Sequence, residues 1–177
     1  EQEGWSLLIF EMNSRSDVPG YGYQLSKGAT ALTESWAALK YVSNNHMMLG
    51  HLMEWFYSGV GGIRMTEGSA SYDHILISPE PVGDLTWAET SFRSVHGDIK
   101  TSWKRINDEF LLNVAVPVNS KATVIMPCGN PEGITEGNKP LTASPGIKVN
   151  GSLNGKTSIE ILSGTYEFKS PVTGKTN

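Results

Sequence analysis

The spacing of apolar residues predicts three helices in the first third of the chain. Apolar residues at Trp5, Leu8, Ile9 and Met12 recur at i, i+3, i+4 and i+7, which indicates an amphipathic helix from about Gly4 to Asn13. Residues 14–29 are rich in turn formers and are predicted to form a loop. Two further helices are predicted at about 30–41 and 45–58. The last is apolar on nearly every side, so we expect it to be buried on every side against partners outside this segment.

After the glycine-rich residues 59–62 the hydrophobic period changes from the helical value to two. Strands are predicted at 74–78, 85–92, 98–105, 109–116, 122–126, 147–150, 158–162 and 165–169. Tight turns are predicted at 95–98, 106–109 and 118–121, and a long loop at 128–146. Strands of this length and spacing predict an antiparallel β-sandwich of about eight strands. The predicted fold class is therefore α+β by segments, with helices first and a sandwich after them.

Composition excludes several classes of function. The chain has 177 residues, 38% hydrophobic and 18% charged, which is typical of a globular protein with a real core. A net charge of −4 gives no electrostatic footprint for nucleic acid. No apolar run approaches the ~20 residues that span a bilayer, so no membrane span is expected. The first residues are acidic, whereas a signal peptide begins with basic residues, so no signal peptide is predicted. Because the chain begins inside a helical pattern, we expect it to be a piece of a longer protein.

Polar groups concentrate around the start of each of the last two predicted helices. Thr30 is a good N-cap, which would put Glu34 about one turn into a helix, where a carboxylate is favoured. His46 lies near the start of the next predicted helix, and Asn45 is interpreted as its cap. A short link makes the two helices antiparallel neighbours, so their starts would lie at opposite ends. Spacing alone does not decide whether Glu34 and His46 share a site.

Several spaced motifs in this region resemble a known signature. They are Gly28-Ala29-Thr30 with Glu34-Ser35-Trp36, then Ser43-Asn44-Asn45-His46 with Gly50, then Glu54-Trp55-Phe56-Tyr57 with Gly62-Ile63, and finally residues 77–85. In this order they resemble the late catalytic domain of bacterial α-L-rhamnosidases and the entry to its following β-sandwich. The match runs from about Trp5 to about Pro127.

The resemblance implies a fold and an activity. The family consists of inverting glycoside hydrolases with an (α/α)6 barrel, so residues 1–71 would be the last helices of that barrel and residues 72–177 the C-terminal β-sandwich. The parent would hydrolyse terminal α-L-rhamnose from glycosides or polysaccharides. The expected partners are this carbohydrate and the rest of the barrel. The substrate class implies an extracytoplasmic location, periplasmic or secreted.

The resemblance also implies roles for individual residues. Glu34 matches the family glutamate that we take to be the general base, although Thr33 and Ser35 stand where the family has tryptophan and arginine. His46 matches a histidine that hydrogen-bonds the sugar, and the alternative is a satisfied histidine at a buried helix start. Trp36 could form an apolar wall against the sugar, with core packing as the alternative. Two loop tyrosines, Tyr21 and Tyr23, are candidate substrate-binding residues.

Other candidate sites are weaker. No phosphate loop or nucleophile elbow is present, so no cofactor is predicted. His51 and Glu54 lie three residues apart but make only half a metal site, and no metal is predicted. Trp87 and Trp103 could form a sugar-stacking platform on adjacent strands or belong to the sandwich core. The single Cys128 is interpreted as an inert, partly buried thiol.

One catalytic group is missing from the pattern. Inverting hydrolysis needs an acid and a base about 6.5–9.5 Å apart. No carboxyl group before Glu34 has the context of the acid, so the isolated chain is predicted to be inactive. Two alternatives stay open: a related (α/α)6 glycosidase for another sugar, and a non-catalytic carbohydrate-binding or structural module.

Overall fold

The computed structural model describes residues 5–36 and 42–172. The chain divides into two compact units, Glu1–Phe56 with Val82–Asp84 and Tyr57–Pro81 with Leu85–Asn177. We call them the helical unit and the strand unit.

The helical unit contains short helices joined by long irregular segments. The helices are α1 (Ser6–Asn13), α2 (Tyr21–Ser26) and α3 (Leu52–Trp55). Helix α1 confirms the first predicted helix, and α2 lies within the predicted loop. The indole Nε1 of Trp55 donates a hydrogen bond to the Ser6 hydroxyl at 2.8 Å, so α3 is tied to the start of α1.

The two later helices differ from their prediction. Residues 30–36 form bends and turns, and helical structure begins only at Leu52, so the predicted helix starts near Thr30 and Asn45 are wrong. Residues 37–41 of the first predicted helix lie outside the described residues. Met47 and Met48 are 87% and 61% exposed, so this chain does not by itself bury the segment, and its burial against other parts of the parent stays a prediction. Helical propensity is marginal in short segments without tertiary packing, and here hydrogen bonds between segments replace the helical ones.

The strand unit contains eleven strands among the described residues. They are β1 (Ile63–Met65), β2 (His74–Ile77), β3 (Trp87–Ser94), β4 (Gly97–Ile106), β5 (Glu109–Val116), β6 (Lys121–Met126), β7 (Thr135–Glu136), β8 (Lys139–Pro140), β9 (Ile147–Leu153), β10 (Lys156–Ile161) and β11 (Gly164–Pro171). All eight predicted strands are present. The three additional ones, β1, β7 and β8, have only two or three residues each. Short 3₁₀ turns at Pro131–Gly133 and Leu141–Ala143 interrupt the predicted long loop.

These strands form two sheets. One has the order β1-β2-β6-β10-β9 and the other β3-β4-β5-β11-β7-β8. Pairing is antiparallel except between β2 and β6, which run parallel. The described chain is therefore mostly antiparallel sheet with few helices, consistent with a C-terminal β-sandwich domain.

Alternating burial along the strands builds the core. In β5 the side chains of Phe110, Leu112 and Val114 are at most 1% exposed, while the residues between them face outward. Trp103 of β4 is 1% exposed and stacks on Phe110 with ring centroids 6.0 Å apart. Cys128 is a buried free thiol that contacts the Asn130 carbonyl oxygen at 3.2 Å. The period-two pattern thus predicts which strand residues are buried.

The segment that enters the strand unit is fixed by buried hydrogen bonds. The Trp103 indole donates to the Val60 carbonyl oxygen at 2.8 Å, and the Thr101 hydroxyl donates to the Gly61 carbonyl oxygen at 2.7 Å. A Cβ on residue 61 would lie 2.4 Å from the Thr90 hydroxyl oxygen, so only glycine fits there. Residues 60 and 61 are therefore integral to this unit.

No helix among the described residues is both long enough and apolar enough to cross a membrane.

Candidate active site

The chain turns sharply into α2 at two glycines, Gly20 before the helix and Gly22 in its first turn. The Gly22 amide donates to the Arg15 carbonyl oxygen at 3.1 Å. A Cβ on Gly20 would lie 2.3 Å from that same oxygen, and a Cβ on Gly22 would lie 2.8 Å from it. The close approach of the backbone thus requires glycine at residues 20 and 22, and Tyr21 between them is the first residue of α2.

Tyr21 joins three segments of the helical unit. Its hydroxyl donates to the Leu49 carbonyl oxygen, and its ring meets that of Trp36 edge to face at 5.2 Å between centroids. Burial raises the pKa of the Tyr21 phenol above its ordinary value of 10.0. The phenol therefore remains a protonated donor at neutral pH, and it fixes the ring that lies against Trp36.

The segments that carry Glu34 and His46 are hydrogen-bonded to each other. The Glu34 amide donates to the Ser43 carbonyl oxygen at 2.9 Å, and the His46 amide donates to the Leu32 carbonyl oxygen at 2.8 Å. These two bonds pair residues 32–34 with residues 43–46 in opposite directions. The candidate base and the candidate sugar-binding histidine therefore lie on adjacent segments, although neither lies at a helix start.

The Glu34 carboxylate is exposed and accepts a hydrogen bond from the neighbouring segment. Its Oε2 accepts a hydrogen bond from the Ser43 amide at 3.3 Å, which fixes the side chain toward the neighbouring segment. Beside it, Thr33 is fully buried, and its hydroxyl donates to the Ser35 carbonyl oxygen at 2.9 Å. The residue before the carboxylate thus anchors the backbone while Glu34 stays open to solvent. The contact from Ser43 was not predicted, although Ser43 belongs to the motif that contains His46.

Two further residues that the sequence analysis singled out are Tyr23 and Asn45. The Tyr23 ring lies under the Lys27 ammonium group at 5.4 Å, a cation–π contact. The backbone amide of Asn45 donates to the Ser43 hydroxyl at 3.4 Å. No helix begins at Asn45, so its predicted role as a cap is wrong.

The other ionised groups in the loop do not resemble a catalytic acid. Asp17 pairs with Arg15 at 2.6 Å, and both groups are exposed. The hydrogen bond and charge of Arg15 hold the pKa of Asp17 below its ordinary value of 3.8. A general acid must be protonated near neutral pH, so Asp17 has the wrong ionisation for that task.

Trp87 and Trp103 do not form a platform. Trp103 is 1% exposed, whereas Trp87 is 62% exposed. In the β3–β4 register Trp103 pairs with Ala88, so the two indoles point to opposite faces of the sheet. Within residues 5–36 and 42–172, no group of three or more His, Cys, Asp or Glu side chains could hold a metal ion.

Comparison with known families matches both parts of the chain. Residues 2–60 match the family model of the bacterial α-L-rhamnosidase six-hairpin glycosidase domain, and residues 62–140 match that of the bacterial α-L-rhamnosidase C-terminal domain. The chain therefore belongs to the bacterial α-L-rhamnosidase family, of which it represents a C-terminal portion.

Individual relatives agree with this assignment. An α-L-rhamnosidase of Streptomyces avermitilis is 33% identical over 140 residues, which cover 74% of this chain and 13% of the relative. An α-L-rhamnosidase of Formosa agariphila is 30% identical over 180 residues, covering 96% of this chain and 19% of the relative. The crystal structure of a Streptomyces avermitilis α-L-rhamnosidase complexed with L-rhamnose superposes with a TM-score of 0.82 at 27% identity. That match covers 94% of this chain and 16% of the crystallised one, so the chain spans less than a fifth of its relatives.

Proposed function

We propose that this chain is the C-terminal part of an α-L-rhamnosidase that hydrolyses terminal α-L-rhamnose with inversion, and that Glu34 is the general base. The observation that carries the proposal is the paired backbone of residues 32–34 and 43–46. It holds an exposed carboxylate and the His46 segment together, with family membership as the context.

Inversion needs a water molecule deprotonated on the face of the sugar opposite the leaving group. The Glu34 carboxylate would accept that proton as the water oxygen attacks the anomeric carbon. The bond to the leaving oxygen breaks at the same time, and a separate acid protonates that oxygen. A carboxylate suits this role because it is exposed to water yet fixed by the Ser43 amide.

The neighbouring groups would bind the sugar. Trp36 offers an apolar ring for the methyl group and C–H face of rhamnose, and Tyr21 would hold that ring in place through the edge contact. The imidazole of His46 would hydrogen-bond a sugar hydroxyl, and the Tyr23 ring would line an outer part of the site.

The general acid would come from the part of the parent that precedes residue 1. The parent's barrel would also cover the apolar side chains of the helical unit, and residues 1–71 and 72–177 would correspond to its last helices and its sandwich. We further propose that the parent works outside the cytoplasm, where rhamnose-containing glycans occur, which fractionation of the producing cell would test. Among the alternatives, a binding module loses its proposed platform because Trp103 is buried.

The test is turnover of p-nitrophenyl α-L-rhamnoside by the full-length parent and its Glu34→Gln variant. Glutamine keeps the shape of the side chain but cannot accept the proton, so we expect kcat to fall about 10²–10⁴-fold with little change in substrate binding. Proton NMR of the first product should show the inverted anomer in the wild type.

Two controls accompany this measurement. Glu11→Gln removes an exposed carboxylate from α1 in the same unit and should leave kcat unchanged. The isolated 177-residue chain should give no turnover, because it covers only 13–16% of the length of its relatives and lacks most of the barrel, including the acid. A fully active Glu34→Gln parent would assign Glu34 a structural role, and an active isolated chain would contradict the predicted inactivity of this portion.

A further inference from the structure

A cavity in the strand unit has no role in the proposed function. It has a volume of about 290 Å³ and is lined by the β5–β11–β7 side of the six-stranded sheet and the β7–β8 turn. The lining residues are Glu109, Gly133, Thr135, Asn138, Lys169, Ser170 and Pro171. The volume is close to the lower end of small-molecule sites, at about 300 Å³.

The polar lining is balanced in charge. The Lys169 ammonium group lies 2.8 Å from the Glu109 carboxylate, and both side chains are about half exposed. An exposed ion pair of this kind contributes little to stability, so stability does not explain why the pair lies in this cavity. Because the two charges compensate, the cavity offers a strong acceptor and a strong donor side by side without favouring a charged ligand.

Neutral polar groups complete the wall. Thr135 contributes a hydroxyl, and Asn138 contributes an amide that can both donate and accept. Pro171 supplies an apolar edge. Alternating donors and acceptors beside one apolar edge suit a ligand with several hydroxyl groups and a C–H face.

The turn that carries Asn138 is fixed by its backbone. Gly137 and Asn138 have φ values of 53° and 63°, and they connect strands paired at Glu136 and Lys139. Two positive φ values in a two-residue loop are typical of a type I′ hairpin turn. The amide is therefore presented from a tight turn and not from a long loop.

We propose that this cavity binds one unit of a neutral saccharide, as a site separate from the candidate active site. Glu109 and Lys169 would accept from and donate to adjacent sugar hydroxyls, Thr135 and Asn138 would bind further hydroxyls, and Pro171 would contact the C–H face. The inference does not rest on Glu34, because binding here requires no turnover.

The experiment is an NMR titration of the 177-residue chain with L-rhamnose, D-glucose and sodium sulfate as separate probes. We expect saturable shifts for at least one sugar at the amides of Thr135, Asn138 and Lys169. The variant Asn138→Gly keeps the positive φ and removes the amide, and Thr135→Val keeps the β-branched shape and removes the hydroxyl. Each should weaken sugar binding about tenfold, as expected for a lost hydrogen-bond partner.

Matched controls lie elsewhere in the same unit. Asn154→Gly alters the equivalent Asn154-Gly155 turn, with φ values of 52° and 74°, and Thr165→Val alters an exposed threonine of β11. Both should leave sugar binding unchanged, and amide spectra report whether each variant is folded. Shifts from sulfate alone, no shift from either sugar, or sugar binding equal in all variants would overturn the proposal.

Discussion

The helical unit and the strand unit differ in how far their large apolar side chains are buried. In the strand unit, Trp103, Phe110 and Phe168 are at most 1% exposed. In the helical unit, Trp5, Met47 and Met48 are each at least 61% exposed. The strand unit contains within itself the surfaces that bury these three rings, whereas the described part of the helical unit leaves Trp5, Met47 and Met48 exposed.

This difference has a physical cause. Strands of an antiparallel sheet find their partners a few residues away through tight turns, and two such sheets bury each other's apolar faces. A short helix buries only one stripe and depends on neighbouring helices for the rest. A piece of a sandwich can therefore be complete when a piece of a helical domain is not.

The largest predicted difference between the two units is the loss of stability when a tryptophan is replaced by alanine. Trp103→Ala should lower the free energy of unfolding of the strand unit by about 3–5 kcal/mol, because it leaves a cavity and removes the bond to Val60. Trp5→Ala should change it by less than about 0.5 kcal/mol, since Trp5 is 61% exposed in the other unit. Urea unfolding followed by circular dichroism would measure both, and equal effects would break the comparison.

A smaller effect is predicted at buried threonines. Thr101→Val keeps the side-chain shape but leaves the Gly61 carbonyl oxygen without its donor, so it should cost about 1–3 kcal/mol in the strand unit. Thr33→Val removes a similar hydroxyl bond in the helical unit, to Ser35. Hydrogen exchange of the strand amides should accelerate in Thr101→Val. In Thr33→Val it should match that of the wild type.

The smallest predicted effect is a pH dependence in the strand unit. The hydrogen bond and charge of Lys121 hold the pKa of Glu160 below its ordinary value of 4.5. As the pH falls, Glu160 therefore takes up its proton at a higher pH in the unfolded chain than in the folded one. The stabilisation is present above the ordinary pKa and is lost as the pH falls through the lower pKa of the folded chain. Glu160→Gln should flatten the decline in melting temperature over this acidic range. Melting curves with the same acid decline as wild type would contradict the assignment.

The strand unit was largely predictable from its sequence. The strand at 109–116 was placed at its observed bounds because alternating burial and turn residues are local signals. Asn107 and Asn119 occupy predicted turns with φ values of 55° and 62°, which asparagine tolerates. Strand β7 was missed because a two-residue strand carries no period, and its pairing with β11 is set by tertiary structure.

The candidate site was less predictable. The sequence identified Glu34, His46 and Trp36 through motif order, but it placed the first two at helix starts. The backbone bonds from Glu34 to Ser43 and from His46 to Leu32 are contacts between segments, which apolar spacing does not encode. The Tyr21–Trp36 contact likewise depends on the turn at Gly20 and Gly22.

The most direct test of the central claim is azide rescue of the full-length Glu34→Gln parent acting on p-nitrophenyl α-L-rhamnoside. Azide attacks the anomeric carbon without losing a proton, so it needs no general base, and p-nitrophenolate leaves. We expect slow turnover in water, acceleration by azide, and a rhamnosyl azide of inverted configuration. Wild-type turnover without azide, or a slow variant that azide does not accelerate, would contradict the assignment of Glu34 as the base.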